Sequence, residues 1–308
     1  MFLKLPKPTT DPRLRSLLQK AARRGFTDIV DRTFLRLYQN GDKTWLRSRA
    51  IVITFEECWP LAASLSIDKE SSSKIEALLS VSKVAKQKDA AGLGALAYAY
   101  QEGDRSMLDY TPNPKLLNLV SEALLRPAPF FDWIRSQSKS ETSYKVIDAA
   151  QRYLPAATWP WDKACILAGA LLSTKNSNIP VVEPIPGPKE KFPFWIALDK
   201  HTPQGKLVLT KTAEKVRSSY RQLIWAGFYC ESARVNKLLP SPWWEAEKMW
   251  RLHRAGLTVA SAESLWSRAL SFIRDYLKNE AVSLQQMIDT NQEVPSGPDV
   301  QNNLFKSH

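Results

Sequence analysis

Apolar residues recur every three or four positions along most of this chain, and sustained strand-like alternation is absent, so the pattern predicts an all-α fold. "DPRLRSLLQKAARRG" opens with Asp11 as an N-cap and Pro12 at the first helical position, and Gly25 closes it. "TDIVDRTFLRLYQNG" follows, with Ile29, Val30, Phe34, Leu37 and Tyr38 on one face. A helix from "KTWLRSRAIVITFEECWPLAASL" and a long helical run with a break, "SSKIEALLSVSKVAKQKDAAGLGALAYAYQEG", come next. "KLLNLVSEALL", "PFFDWIRSQ", "TSYKVIDAAQRYL" and "WDKACILAGALLS" extend the series. Residues 176–193 then carry Pro180, Pro184, Pro186, Pro188 and Pro193, a spacing that forbids helix and favours an extended connection. Helices resume in "KLVLTKTAEKVRSSYRQLIWAGF", "YCESARVNKLL", "SPWWEAEKMWRLHRAG" and "TVASAESLWSRALSFIRDYLKN", the last with an apolar stripe from Ala262 to Tyr276. Beyond about residue 290 the chain is polar and turn-rich, which predicts a flexible tail. The expected organisation is an N-terminal helical domain over 1–175, a Pro-rich connection over 176–198, a C-terminal helical domain over 199–290 and a tail over 291–308.

One phrase occurs twice. Residues 38–46 read YQNGDKTWL and residues 100–108 read YQEGDRSML, at an offset of 62 residues. In each, Gly supplies a left-handed helix end, and Asp42 or Asp104 is expected to cap a following helix. The doubling predicts two divergent helical hairpins in tandem.

With 44% hydrophobic and 24% charged residues, the 308-residue chain is long enough for one large core or two modest ones. No stretch reaches 18 apolar residues, and the N-terminus lacks a secretory pattern, so no membrane partner and a cytoplasmic location are expected. Cys58, Cys165 and Cys230 are scattered, which predicts reduced and mostly buried thiols. His201, His253 and His308 form no metal-ligand spacing, so no metal or other cofactor is expected.

Charge changes the picture. The net charge is +12, and residues 1–50 hold twelve Lys and Arg against four acids, a surplus of eight. Residues 205–278 hold thirteen against six, a surplus of seven. Clustered cations gain affinity for a polyanion through counterion release, which makes nucleic acid the leading partner. Eleven tryptophans add stacking surface, and Trp243, Trp244 and Trp250 lie near Lys248, Arg251 and Arg254. After Pro240 and Pro242, one of Trp243 and Trp244 is expected to face outward.

Several chemical motifs dissolve on inspection. "GLGALA" at 92–97 fits a dinucleotide fingerprint, but the preceding lysine-rich run reads as helix, and Gly92 and Gly94 are read as close-packing positions. "GDKT" and "GK" lack the rest of a phosphate-binding loop. Glu56 and Glu57, adjacent on a helix, point about 100° apart and are not expected to share a site; one is expected to pair with Arg47 or Arg49. No nucleophile–base set stands out, so the chain reads as a non-enzyme.

Two stretches resemble known replication elements. Leu37, Gly41, Asp42, Leu46, Arg49, Val52, Glu56 and Glu57 carry a pattern similar to the helical collar of clamp-loader-type AAA+ ATPases, especially the replication-associated recombination branch. The likeness covers about residues 15–125, more loosely 199–280, where "DKHTPQGK" belongs to it; the Gly-Asp element is one residue shorter and the ATPase module is missing. "QNNLF", Gln301 to Phe305, resembles a sliding-clamp-binding peptide. The resemblance implies a non-catalytic DNA-replication accessory protein that meets DNA, a sliding clamp and an AAA+ ATPase subunit. Arg13, Arg15, Lys20, Arg23, Arg24, Arg251 and Arg254 are then expected at phosphates, Trp243 and Trp244 at bases, and Gln301, Leu304 and Phe305 at the clamp. The competing expectations are an all-α scaffold for an acidic protein and an RNA-binding subunit of a ribonucleoprotein.

Overall fold

A computed structural model describes residues 11–65, 71–175 and 179–290. Among them are thirteen α-helices and no strand, as the periodicity predicts. In chain order these are α1 (Pro12–Arg24), α2 (Thr27–Gln39), α3 (Lys43–Cys58), α4 (Ser71–Ser82), α5 (Asp89–Gln101), α6 (Pro114–Leu125) and α7 (Pro127–Gln137). They are followed by α8 (Glu141–Tyr153), α9 (Pro160–Lys175), α10 (Pro203–Lys215), α11 (Tyr220–Gly227), α12 (Pro242–Arg254) and α13 (Val259–Asp289). Among the described residues no helix is long and apolar enough to cross a membrane.

α1 starts and stops on the residues its sequence marks: Asp11 accepts the backbone N–H of Arg13, and Gly25 closes the helix at φ 81°. α2 buries Ile29, Val30, Phe34 and Leu37. At the centre lies α5, which packs on α9 along one side and on α12 along another. Its small residues permit this approach. A methyl group at Gly94 would stand 2.6 Å from the backbone nitrogen of Cys165, and one at Gly92 would stand 2.3 Å from the Trp243 carbonyl. "GLGALA" is therefore a packing device, as expected, although the segment before it differs from expectation.

That segment is extended rather than helical over residues 84–87. Its backbone is satisfied from three directions: Ala85 donates to Glu183, Lys86 donates to Lys237, and Gln87 donates to Glu57. The Pro-rich connection and the chain just before α12 thus flank one buried extended spine. The main hydrophobic core runs from Leu14 in α1 to Ile288 in α13 and draws residues from both sides of the Pro-rich connection, beside a small second cluster of Ala91, Ala233 and Trp244.

The repeated phrase folds the same way twice at its centre. Gly41 and Gly103 adopt φ 87° and 89°. Gly41 donates to Tyr38 and Asp42 to Leu37, while Gly103 donates to Tyr100 and Asp104 to Ala99, the paired bonds of a left-handed helix end. Lys43 lies 4.4 Å from the Tyr38 ring centroid, and its counterpart Arg105 lies 3.9 Å from that of Tyr100. Neither aspartate, however, caps a following helix with its side chain. Asp42 accepts both Nε and Nη2 of Arg15 from α1. Asp104 opens a run of turns instead of a helix; it accepts the Ser106 backbone N–H and pairs with Arg254 of α12 at 3.1 Å. Each corner is pinned by an arginine from elsewhere, a charge-assisted contact stronger than one between neutral groups.

Two further differences concern the second half. The expected long helix over 206–228 breaks at Arg217, which has φ 54°, and α11 restarts on a Ser219–Gln222 capping box. "YCESARVNKLL" is not a helix of its own. Phe228–Ser232 form a single π-turn that continues α11, and the chain to α12 is irregular.

Candidate functional site

A cavity of about 800 Å³ opens where α1, α3, α9, α11, α12 and α13 converge. Its walls are unusually aromatic, with Trp45, Trp159, Trp161, Trp195, Trp225, Trp244 and Trp266 all contributing. Trp159 stands at the mouth, 69% exposed. The volume lies inside the range of small-molecule sites, roughly 300–1,000 Å³.

Two ion networks contribute side chains to the cavity wall. In the first, Arg23 bridges both adjacent glutamates: Nη2 donates to Glu56 and Nε to Glu57, each at 2.7 Å, and Nη1 donates to the Ser232 carbonyl. The two carboxylates diverge on α3, yet one guanidinium fork spans them, so the expectation of separate sites is corrected. Glu56 does meet Arg49, at 3.4 Å, and Arg49 also reaches Asp162 of α9 at 2.9 Å. Lys88, fully buried, lies 2.9 Å from Glu57. Burial alone would raise the Glu57 carboxyl, but Arg23 and Lys88 outweigh it and hold it below the usual range. Burial raises the Asp162 carboxyl against the pull of Arg49.

The second network involves α1, α12 and the turn before α10. Lys20 pairs with Asp199. Burial still pushes the Lys20 ammonium down, against the attraction of Asp199. Arg251 donates Nε to Glu247 at 2.7 Å, and its guanidinium stands 4.7 Å from the Trp161 centroid and 4.6 Å from that of Trp225. Lys200 lies 4.1 Å from the same Trp225 centroid. Burial, assisted by Arg251, brings the Lys200 ammonium down to about 8. Burial raises the Glu247 carboxyl, with Arg251 opposing.

A different feature lies on the outside, where the end of α10 faces α13. Lys215, Arg217 and Arg268, with Ser267, Ser271 and Phe272, line an open groove that no carboxylate lines. Lys215 covers the Phe272 ring at 3.9 Å, and Arg268 donates to the Val216 carbonyl at 3.4 Å. Among the described residues none of these three cations forms an ion pair.

The residues expected at phosphates land elsewhere. Lys20 and Arg23 are buried and Arg24 nearly so, its guanidinium held by Glu231 at 2.7 Å. Arg13 pairs with Asp11 and Glu280, and Arg15 with Asp42. The surplus of positive charge in residues 1–50 is thus largely spent inside the fold on acids from distant segments, which composition could not reveal. Trp243 and Trp244 are both buried; neither faces outward, since α12 lays both against α5 and α11. Arg251 is inside the cavity, and Arg254 is half-exposed on Asp104. Gln301, Leu304 and Phe305 lie outside the described residues. Sequence reasoning missed Trp161, Trp225, Lys200 and the groove cations; the available signals were the tryptophan count, "DKHTPQGK" and the second basic surplus. Comparison with protein-family models, with curated proteins and with solved structures finds no match for this chain.

Proposed function

We propose that this chain is a nucleic-acid-binding accessory protein of DNA replication. It holds DNA phosphates along the groove between α10 and α13 and docks on a sliding clamp through Gln301, Leu304 and Phe305. The observation that carries the DNA half is the groove: Lys215, Arg217 and Arg268 stand together with two serine hydroxyls and no carboxylate. Everywhere else the cations first expected at phosphate are committed to acids. Exposed and unneutralised cations are the ones that release counterions when a phosphate arrives, and hydroxyls add hydrogen bonds that position the backbone. The clamp half rests on the QNNLF peptide alone.

A mobility-shift titration on single-stranded and duplex DNA over a range of salt tests the DNA half. Wild-type affinity is expected to fall steeply with salt. The double variant Lys215→Ala/Arg268→Ala should bind more weakly and with a salt slope smaller by about 2, one for each phosphate contact removed. Equal affinity and equal slope in the variant, or no shift at low salt, would reject the groove as the DNA site. Preferential binding of RNA would move the reading to a ribonucleoprotein subunit.

A further inference from the structure

The tryptophan-walled cavity has features that the external groove does not explain. Most of its charged groups are spoken for: Arg23, Arg49 and Lys20 each meet a carboxylate squarely. Arg251 and Lys200 differ. Arg251 uses only Nε on Glu247, and among the described residues its two terminal nitrogens donate to no protein acceptor. Lys200 has no carboxylate within ion-pair distance among the described residues; its ammonium rests on the Trp225 ring. Two cations therefore share one ring inside a cavity, at 4.1 and 4.6 Å from its centroid. Burial and the repulsion of Arg251 both act against the Lys200 ammonium, Asp199 and Glu247 offset them only in part, and an anion held by both cations would relieve the rest.

The rest of the cavity indicates what the anion is attached to. Trp159 and Trp161 flank Pro160 at the start of α9, and both line the cavity along with five other indoles. Flat indole faces stack flat rings, and they do so without regard to the ring's substituents. A guanidinium fork with two free donors matches two oxygens of a compact oxyanion, and a lysine adds a point charge. A planar base joined through a sugar to a phosphate has this composition, and a volume of about 800 Å³ holds it with room for water. We propose that the cavity binds a nucleoside monophosphate, its phosphate between Arg251 and Lys200 and its base among the tryptophans. This site is separate from the groove and stands whether or not DNA binds there.

The same tryptophans supply the readout. The full chain is titrated with adenosine 5′-monophosphate, cytidine 5′-monophosphate, adenosine and inorganic phosphate, with indole fluorescence and heat as signals. Saturable quenching by a nucleotide is expected, with adenosine binding at least roughly ten-fold more weakly because it lacks the anion. Lys200→Ala, a change on a half-buried loop residue, should weaken the nucleotide by roughly ten-fold and leave adenosine unchanged. Trp159→Ala should weaken both nucleotide and nucleoside. No saturable response to either nucleotide up to about 10 mM would overturn the proposal, since that affinity is too weak to count as a site. Equal binding of nucleotide by wild type and Lys200→Ala would overturn the phosphate position. Tighter binding of indole-3-acetate than of either nucleotide would replace the phosphate with a carboxylate.

Discussion

Lys86 is fully buried and ends not on a carboxylate but on two backbone carbonyls, those of Val81 at 2.6 Å and Val84 at 2.7 Å. Burial pushes its ammonium down to about 8, although Glu57 pulls the other way. In the unfolded chain the same group titrates near its ordinary value of 10.5. Between these values the unfolded chain holds more protons than the folded one, so stability rises as pH climbs from about 8 to about 10.5; below about 8 the full burial penalty applies. Lys86→Met, similar in length and without a proton to lose, should flatten that rise. Urea denaturation at pH 7.5, 9 and 10 measures it, and the two proteins should diverge by at most about 3 kcal/mol across the window. Parallel curves would show that Lys86 is not the source. Lys200, also near 8, contributes equally to both proteins and cancels from the comparison.

At the scale of elements, glycine has two distinct jobs here, and they fail differently. Gly103 ends α5 at φ 89° with open space around it, so an added methyl group meets nothing and the cost is conformational. Gly103→Ala should lose about 1–2 kcal/mol in thermal or urea unfolding. Gly94 is an ordinary helical residue whose methyl group would collide with the α9 backbone at 2.6 Å. Gly94→Ala should cost about 3 kcal/mol or more, because two helix backbones must separate. If Gly94→Ala were the milder change, the close approach of α5 and α9 would be wrong. The repeated phrase shows the same division. Its Gly and its Tyr–cation stack recur at both corners, whereas the next elements differ: α3 succeeds the first corner, and a run of turns before α6 succeeds the second.

For the whole molecule, the proposed docking on a sliding clamp makes a separable prediction. Deleting residues 300–308 should abolish capture by the clamp in a pull-down and leave the salt-dependent affinity for DNA unchanged, since the groove cations lie at the end of α10 and on α13. Binding of the clamp by the truncated chain would end that half of the proposal. The fold itself was largely legible: the helix start at Asp11–Pro12, the closure at Gly25 and the core face of α2 all come from local spacing. Two boundaries were not. The extended spine at 84–87 looks helical by composition, and its backbone partners at Glu57, Glu183 and Lys237 hold it straight. The π-turn at Phe228–Ser232 likewise has no local signature; it aims the Glu231 and Ser232 carbonyls at Arg24 and Arg23.

The amino-acid order alone determined that this chain is helical, where most helices begin and end, and that two corners repeat, because caps, left-handed glycines and apolar period act within a few residues of themselves. It also showed a large positive surplus, but not where that surplus is free. That was decided by tertiary structure: Arg23 finds acids more than thirty residues away on α3, Lys20 finds Asp199 across the Pro-rich connection, and seven tryptophans from distant segments meet around one cavity. A charge is available to a partner only if the fold leaves it unpaired, and pairing over such separations is invisible until the helices are packed.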